Sequence, residues 1–464
     1  VADRAAYHPQ DAPDLNGRRV VVVGLGLTGE AVARFLIDRG ARVTVSDGGP
    51  AERLSGRAGD LAERGALLEL GGHQRETFAS ADLIVLSPGV PPTIEPLAAA
   101  RRAGVPITGE IELASRFLDS PVVAVTGTNG KTTTTALIGE MCRAAGMEIF
   151  IGGNIGNPLV NFVRIGGRAD AVVVEVSSYQ LETVQRFKPQ VGVLLNVTAD
   201  HLDRYRDFDE YAAVKRRLFA RQDESDLAVI NRDDPEAAAV QIPGRRREFS
   251  RTVRPETGAF LDGDQFIFLV DSRPVAKFPA GELTLTGLHN RENVMAAMLA
   301  AGGLGVDLDA AFDAARRFKG LPHRLQWVAQ IDGVDYYDDS KGTNVGAAVK
   351  SLESLDRPVV LIAGGRDKGG DYRPLATLIQ SRVKKLILLG EAKERIRQAL
   401  GGLTETVLVD DMAEAVDAAQ KAARTGDAVL LSPACSSFDM FTDYGHRGQV
   451  FQELVLKESH GQGD

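Results

Sequence analysis

Two rhythms alternate along the chain. Short β-branched runs give way to stretches in which apolar residues recur every three to four positions. Arg19–Val23 is one such run; Val32, Phe35 and Leu36 then follow helical spacing until Gly40, and 43–45 opens another run. Leu83–Leu86 repeats the pattern. A second block has strand-like runs at 122–125, 172–176, 191–197 and 227–230, with helical spacing over 132–145 and again after Asn290. A third has runs at 359–362, 386–389, 407–409 and 429–431. Strands alternating with helices predict an α/β protein with mostly parallel sheets. The charged stretch 244–263 reads as β-hairpins at a domain edge, and the Pro/Gly punctuation at 104–109 and 318–322 reads as linkers. Three domains follow, 1–109, 110–321 and 322–464: a Rossmann-like domain, a central domain of the P-loop ATPase type and a second Rossmann-like domain.

The first two domains each open on a glycine turn between strand and helix. Gly24-Leu25-Gly26-Leu27-Thr28-Gly29 is the G-x-G-x-x-G fingerprint, with Asp47 at the end of the next strand. It specifies a diphosphate on a helix N-terminus and leaves open which nucleotide carries it. In the second turn, Gly127-Thr128-Asn129-Gly130-Lys131-Thr132, two residues separate the glycines where the usual phosphate loop has four. Glycines let backbone N–H groups turn inward around a phosphate, and the helix start adds a partial positive charge. Lys131 can neutralise β- and γ-phosphate oxygens, and the Thr132 hydroxyl can ligate Mg²⁺. The bland alternative is a tight turn with a solvated lysine.

Composition narrows the setting. At 464 residues, 44% hydrophobic and 25% charged, the chain is an ordinary globular protein. No apolar run approaches the roughly 20 residues of a membrane helix, and residues 1–16 lack an apolar signal core, so no membrane insertion and a cytoplasmic location are expected. A net charge of −9 argues against non-specific nucleic-acid binding. Cys142 and Cys435 lie too far apart in sequence for a metal motif; Cys142 reads as core. No heptad seam stands out, so a monomer is expected.

Strand ends are where open α/β sheets present ligands. Glu175 lies late in an apolar strand, and a carboxylate there is costly unless paired or metal-bound. His201, in Asp200-His201-Leu202-Asp203-Arg204-Tyr205, follows another strand. Together they suggest a Mg²⁺ or Mn²⁺ site beside the phosphate loop; for His201 alone, packing or capping is the competing reading. Asp207 to Ala220 opens with a cap signal, and its stripe Tyr211, Val214, Leu218 encloses Lys215. That ammonium must either reach out to solvent or have a lowered pKa.

GTNGKTTT, EVSSYQLE (175–182), DHLDRY (200–205), GLHNRENVMAA (287–297) and LPHR (321–324) together resemble the Mur ligases of peptidoglycan synthesis. DSKGTNVGA (339–347), AGGRDKGGD (363–371) and LLSPACSSFDMF (430–441) resemble its D-glutamate-adding branch most. The resemblance spans all three domains. It implies an ATP- and Mg²⁺-dependent ligase, acting through an acyl phosphate, with UDP-N-acetylmuramoyl-L-alanine and D-glutamate as substrates. It assigns Asn290 and Asn293 to adenine, although their spacing also suits helix capping, and Arg324 and Asp339 to the ATP phosphates and ribose. Lys341 and Thr343 fall near the reacting carboxylate and amine. The first turn becomes a UDP site: Leu27, Thr28 and Gly29 for the diphosphate, Asp47 and Gly48 for uridine, Ser87, Pro88 and Gly89 along the nucleotide, and Asn154 on the sugar-peptide. Lys368, Ser437 and Tyr444 would hold D-glutamate; the family more often has Phe at the Tyr444 position. The resemblance also implies that Lys215 is carbamylated and joins Thr132, Glu175 and His201 at the metal. A nicotinamide oxidoreductase would account for the first turn only, a nucleotide switch for the second only. A sister ligase adding another amino acid is the nearest rival.

Overall fold

The computed structural model describes residues 12–200, 204–285, 287–367 and 371–461. His201 and Lys368 lie outside these described residues. Three sheets organise the chain. The first holds β1 (Arg19–Val23), β2 (Arg42–Asp47), β3 (Leu67–Leu70), β4 (Leu83–Leu86) and β5 (Ile107–Gly109) in the order β3-β2-β1-β4-β5, all parallel. The order reverses between β1 and β4, and the turns that follow both strands open at this crevice, the usual ligand position of such sheets.

The central domain carries β6 (Val122–Thr126), β7 (Ile149–Gly153), β8 (Ala171–Glu175), β9 (Val191–Leu194) and β10 (Leu227–Asn231). It continues with β11 (Arg245–Ser250), β12 (Gly258–Asp262), β13 (Gln265–Val270) and β14 (Arg273–Pro279). Their order is β14-β13-β12-β11-β10-β9-β6-β8-β7, parallel except for the two hairpin pairings at the β14 edge. Strands β6, β8, β9 and β10 are buried along their whole length, which is why they read as unbroken apolar runs. The helix Lys131–Ala144 packs against Leu288–Gly303 and Leu308–Arg317, with Cys142 in that core.

The third sheet holds β15 (Gln326–Ile331), β16 (Val334–Asp338), β17 (Val359–Gly364), β18 (Val383–Leu389), β19 (Glu405–Leu408) and β20 (Ala428–Leu431), ordered β15-β16-β20-β17-β18-β19. Only β15–β16 is antiparallel.

Three expectations are corrected. Residues 104–109 are not a linker: β5 completes the first sheet, and the helix Glu110–Ser115 follows it directly. The stretch 244–263 is not all hairpin, since β11 joins the parallel sheet beside β10 and the hairpins begin at β12. The strand expected over 191–197 stops at Leu194, because the next residues turn to brace the phosphate loop.

The first two domains share one apolar core. Phe35 meets Phe117 edge-on at 5.1 Å, and Arg164 pairs with Asp38 at 3.3 Å. Glu110 is sealed in near this junction. Its Oε1 accepts from Val160 N at 2.7 Å, while Oε2 has no partner among the described residues. Burial pushes its pKa up to about 7. Between the unfolded value of 4.5 and about 7 the folded state therefore holds the extra proton. Stability is full below that window and falls as pH rises through it, by ~3 kcal/mol for a shift of this size. Glu110→Gln should melt like wild type at pH 4.5 and several degrees higher at pH 8. An unchanged melting difference across that range would refute the buried-carboxyl account.

Candidate active site

Gly127 and Gly130 shape the second glycine turn because both adopt positive φ, 152° and 86°. A Cβ on Gly130 would come within 2.4 Å of Asn293 Oδ1, so the loop also needs glycine for its close approach to the helix Leu288–Gly303. The segment after β9 clamps the loop. Asn196 Oδ1 accepts from Asn129 N at 2.8 Å, and Asn196 Nδ2 donates to Asn129 O at 3.1 Å. Thr128 Oγ1 donates to Thr198 O at 3.1 Å and lies 3.0 Å from the Tyr211 hydroxyl. Sequence reasoning passed over Asn196 and Thr198, and placed Tyr211 only in the packed stripe of its helix. A polar Asn at the end of a buried strand was the available signal.

Two lysines meet at this turn. Lys131 Nζ donates to Gly127 O at 2.9 Å and Thr128 O at 2.8 Å, and Lys215 Nζ donates to the same Gly127 O at 2.9 Å. Lys215 is 1% exposed, so it does not reach solvent. Burial, reinforced by Lys131, drives its pKa well below the ordinary lysine value, and burial lowers Lys131 as well. Tyr211, Val214 and Leu218 are buried around Lys215, as the helical spacing predicts.

Glu175 ends β8 against the start of the loop helix. Its Oε2 accepts from Thr132 Oγ1 at 2.7 Å and its Oε1 from Asn154 Nδ2 at 2.8 Å. Asn154 is thus drawn to the phosphate end of the central domain. Thr132 Oγ1 also accepts from Arg324 of the third domain. Lys131, Thr132, Glu175 and Arg324 therefore form one charged cluster across two domains.

Above the loop lies an open cleft between these domains. Asn290, Asn293 and His289 line one side; Arg324, Leu325, Asp339 and Lys350 line the other. Gly287, not either asparagine, caps the helix. Asn293 Nδ2 instead donates to Asn290 Oδ1 at 3.2 Å. Asp339 accepts from Ser351 Oγ at 2.6 Å and Ser432 Oγ at 2.8 Å, and burial lifts its pKa to about 6. His289, which sequence reasoning missed, is held neutral by burial, near pKa 4, and contacts Ser354 Oγ of the third domain at 3.0 Å. Just after the 318–322 connection, His323 and Leu325 adopt φ of 61° and 45°, held by Gln326, Asp339 and Lys341 N.

The third domain brings Lys341 over the Tyr444 ring at 3.6 Å. Thr343 is adjacent and Ser437 is buried nearby in the 432–438 loop. Arg447 joins these loops, another residue sequence reasoning missed. It is 2% exposed and donates to Ser340 O at 2.7 Å, Ser340 Oγ at 2.9 Å, and Cys435 O and Ser436 O, both at 3.2 Å. Arg447→Met would leave buried carbonyls unpaired, each costing about 1–3 kcal/mol. It should lower the melting temperature by several degrees, and a folded variant that melts like wild type would remove Arg447 from this bracing role.

In the first domain, Asp47 ties two turns together. Its Oδ2 accepts from Leu25 N and its Oδ1 from Gly49 N, both at 2.6 Å. Ser87 Oγ donates to Gly24 O at 3.0 Å, so the turn after β4 supports the glycine turn. A Cβ on Gly29 would strike Gly24 O at 1.8 Å, which explains the third glycine. Leu27 is 66% exposed at the helix start, an apolar side chain presented at the crevice. Thr28 lies in the first turn of the helix Leu27–Asp38, and Gly48, Pro88 and Gly89 belong to the turns after β2 and β4. His73, 2.8 Å from Ser46 Oγ, is a crevice neighbour that sequence reasoning missed.

Three domain families match along the chain: a Mur ligase MurD-like N-terminal domain over 18–109, a Mur ligase middle domain over 125–301, and a Mur ligase glutamate ligase domain over 323–435. The chain is 49% identical to a UDP-N-acetylmuramoylalanine–D-glutamate ligase of Citrifermentans bemidjiense, over 97% of this chain and 100% of the relative. It is 47% identical to one of Pelotomaculum thermopropionicum, over 97% and 99%. The fold resembles the UDP-N-acetylmuramate–alanine ligase MurC of Thermotoga maritima, with TM-score 0.61 and 19% identity over 95% of this chain and all of that one. It also resembles a pseudomurein peptide ligase type C of Methanothermus fervidus, with TM-score 0.60 and 20% identity at the same coverage.

Proposed function

The chain belongs to the Mur ligase family, and on that premise we propose that it joins D-glutamate to UDP-N-acetylmuramoyl-L-alanine in an ATP-driven step of peptidoglycan precursor synthesis. The observation that carries this reading is the near-full-length identity to D-glutamate ligases. The cationic phosphate loop facing a third-domain wall gives it a chemical basis.

ATP would lie in the interdomain cleft, adenine against Asn290 and Asn293, phosphates on the Gly127–Thr132 turn, with Arg324 and Asp339 on the far side. A carboxylate oxygen of the alanyl group attacks the γ-phosphorus and ADP leaves. The amine of D-glutamate then attacks the acyl carbon, loses a proton and expels phosphate. Two anions must meet for the first step, so Lys131 offsets the γ-phosphate charge. Lys341 and Thr343 serve the reacting carboxylate and amine. Lys368, Ser437 and Tyr444 hold the amino acid. Leu27, Thr28, Gly29, Asp47, Gly48, Ser87, Pro88, Gly89 and Asn154 hold the UDP-substrate. The hard oxygen donors of Thr132 and Glu175 fit Mg²⁺, with His201 and a carbamylated Lys215 completing the proposed set. Bound Mg²⁺ would offset phosphate charge. The enzyme would act as a cytoplasmic monomer.

Phosphate release by the full chain should require both the UDP-linked acceptor and D-glutamate, with other amino acids supporting far less. The full chain should also bind UDP-muramoyl-alanine and not NADH. The whole chain is the proper sample, since the first domain shares its core with the second. Equal turnover with a different amino acid, or release without acceptor, would overturn the proposal.

A further inference from the structure

Three arginines follow one another on β11 and differ in their partners. Arg245 donates to Ser225 O at 2.9 Å. Arg246 engages Glu248, Val240 O and Ala238 O. The Arg247 side chain, half-buried, has no hydrogen bond or ion pair among the described residues. Its guanidinium faces a second cavity, remote in sequence from the phosphate loop, between the β11–β14 edge and the helices Leu288–Gly303 and Leu308–Arg317. The cavity measures about 260 Å³, and its walls include Phe268, Leu269, Val275, Leu299 and Leu308.

The surroundings do not compensate this cation. A Cβ on Gly302 would lie 3.6 Å from Arg247 Nη1, so the guanidinium sits at the C-terminal end of the first helix. That end offers a favourable dipole, yet Ala301 O already accepts from Leu304 N and Val306 N, and Gly302 O from Gly305 N. Asp307, the one acidic residue lining the cavity, turns its Oδ1 to Asp309 N and Ala310 N at its own helix start. Arg245 adds a second positive charge nearby, and burial together with Arg245 lowers the Arg247 pKa. A partly desolvated cation without a protein acceptor is disfavoured, and an entering anion would relieve that cost.

We propose that this cavity is a binding site for a small apolar monocarboxylate, its carboxylate paired with Arg247 and its hydrocarbon body against Phe268, Leu299 and Leu308. The cavity is roomy enough for a single aromatic ring bearing a carboxylate. Its lining shares no residue with the cleft above the phosphate loop.

Benzoate and the uncharged benzamide, titrated by calorimetry into the full chain with and without saturating ATP, test the proposal. Benzoate should bind saturably at one site, at least tenfold tighter than benzamide, and ATP should not compete. Arg247→Met, which keeps an apolar stem, should weaken benzoate at least tenfold and leave ligase turnover intact. Val275→Trp, which fills the mouth from its exposed edge position, should weaken both ligands. Equal affinity for benzoate and benzamide, unchanged benzoate affinity in a folded Arg247→Met variant, or displacement by ATP would overturn the assignment.

Discussion

Lys131→Ala should lower ligation by at least two to three orders of magnitude, the ~3–4 kcal/mol typical of a lost transition-state charge contact. Lys131 is the loop's own cation, held by burial at the helix start beside the two carbonyls it touches. Phosphate would take over those hydrogen bonds. The fold should survive, because Gly127 O keeps its bond from Lys215 and only Thr128 O loses a donor. That loss is worth about 1 kcal/mol. Single-turnover phosphate release and a thermal melt, measured on the same preparation, separate the two effects. A well-folded Lys131→Ala protein turning over near the wild-type rate would refute the phosphate role.

Lys215→Ala should be nearly as damaging. Two ammonium groups cannot both sit comfortably on Gly127 O, and Lys215 is the more deeply buried of the pair. Burial and the neighbouring Lys131 drive its amine toward neutrality. A neutral amine attacks CO₂: the N–C bond forms, the C=O electron pair moves to oxygen, and a proton leaves nitrogen. The carbamate would replace repulsion of Lys131 by attraction and put an anionic oxygen beside Thr132 and Glu175. Turnover in Lys215→Ala should fall about a hundredfold or more, and acetate or formate should restore part of it by supplying the missing carboxylate. Native mass spectrometry should find one CO₂ on the wild-type chain and none on the variant. Full wild-type activity after rigorous CO₂ removal would sink the idea.

Much of this was legible in the linear chain. Buried parallel strands read as unbroken apolar runs because helices cover both faces, so the three α/β domains and both glycine turns stood out. Gly130 was legible because a strand-to-helix turn at φ 86° admits little else. Lys215 was legible because an ammonium inside the stripe Tyr211, Val214, Leu218 has only two physical outcomes. Other features had no local signature. The 104–109 punctuation marks a turn equally well before a linker or an edge strand, and only pairing of Ile107–Gly109 with β4 decided it. A sequence cannot show that Lys131 and Lys215 share one carbonyl, since that depends on how two helices cross the same loop. Asn196, Arg447 and His289 act through partners far along the chain or across a domain boundary. The sequence by itself determined the elements, the turns and the family, because those depend on local periodicity and backbone freedom. Tertiary structure alone decided which charges face one another, because burial and proximity set the cost of each charge, and both arise only when distant segments pack.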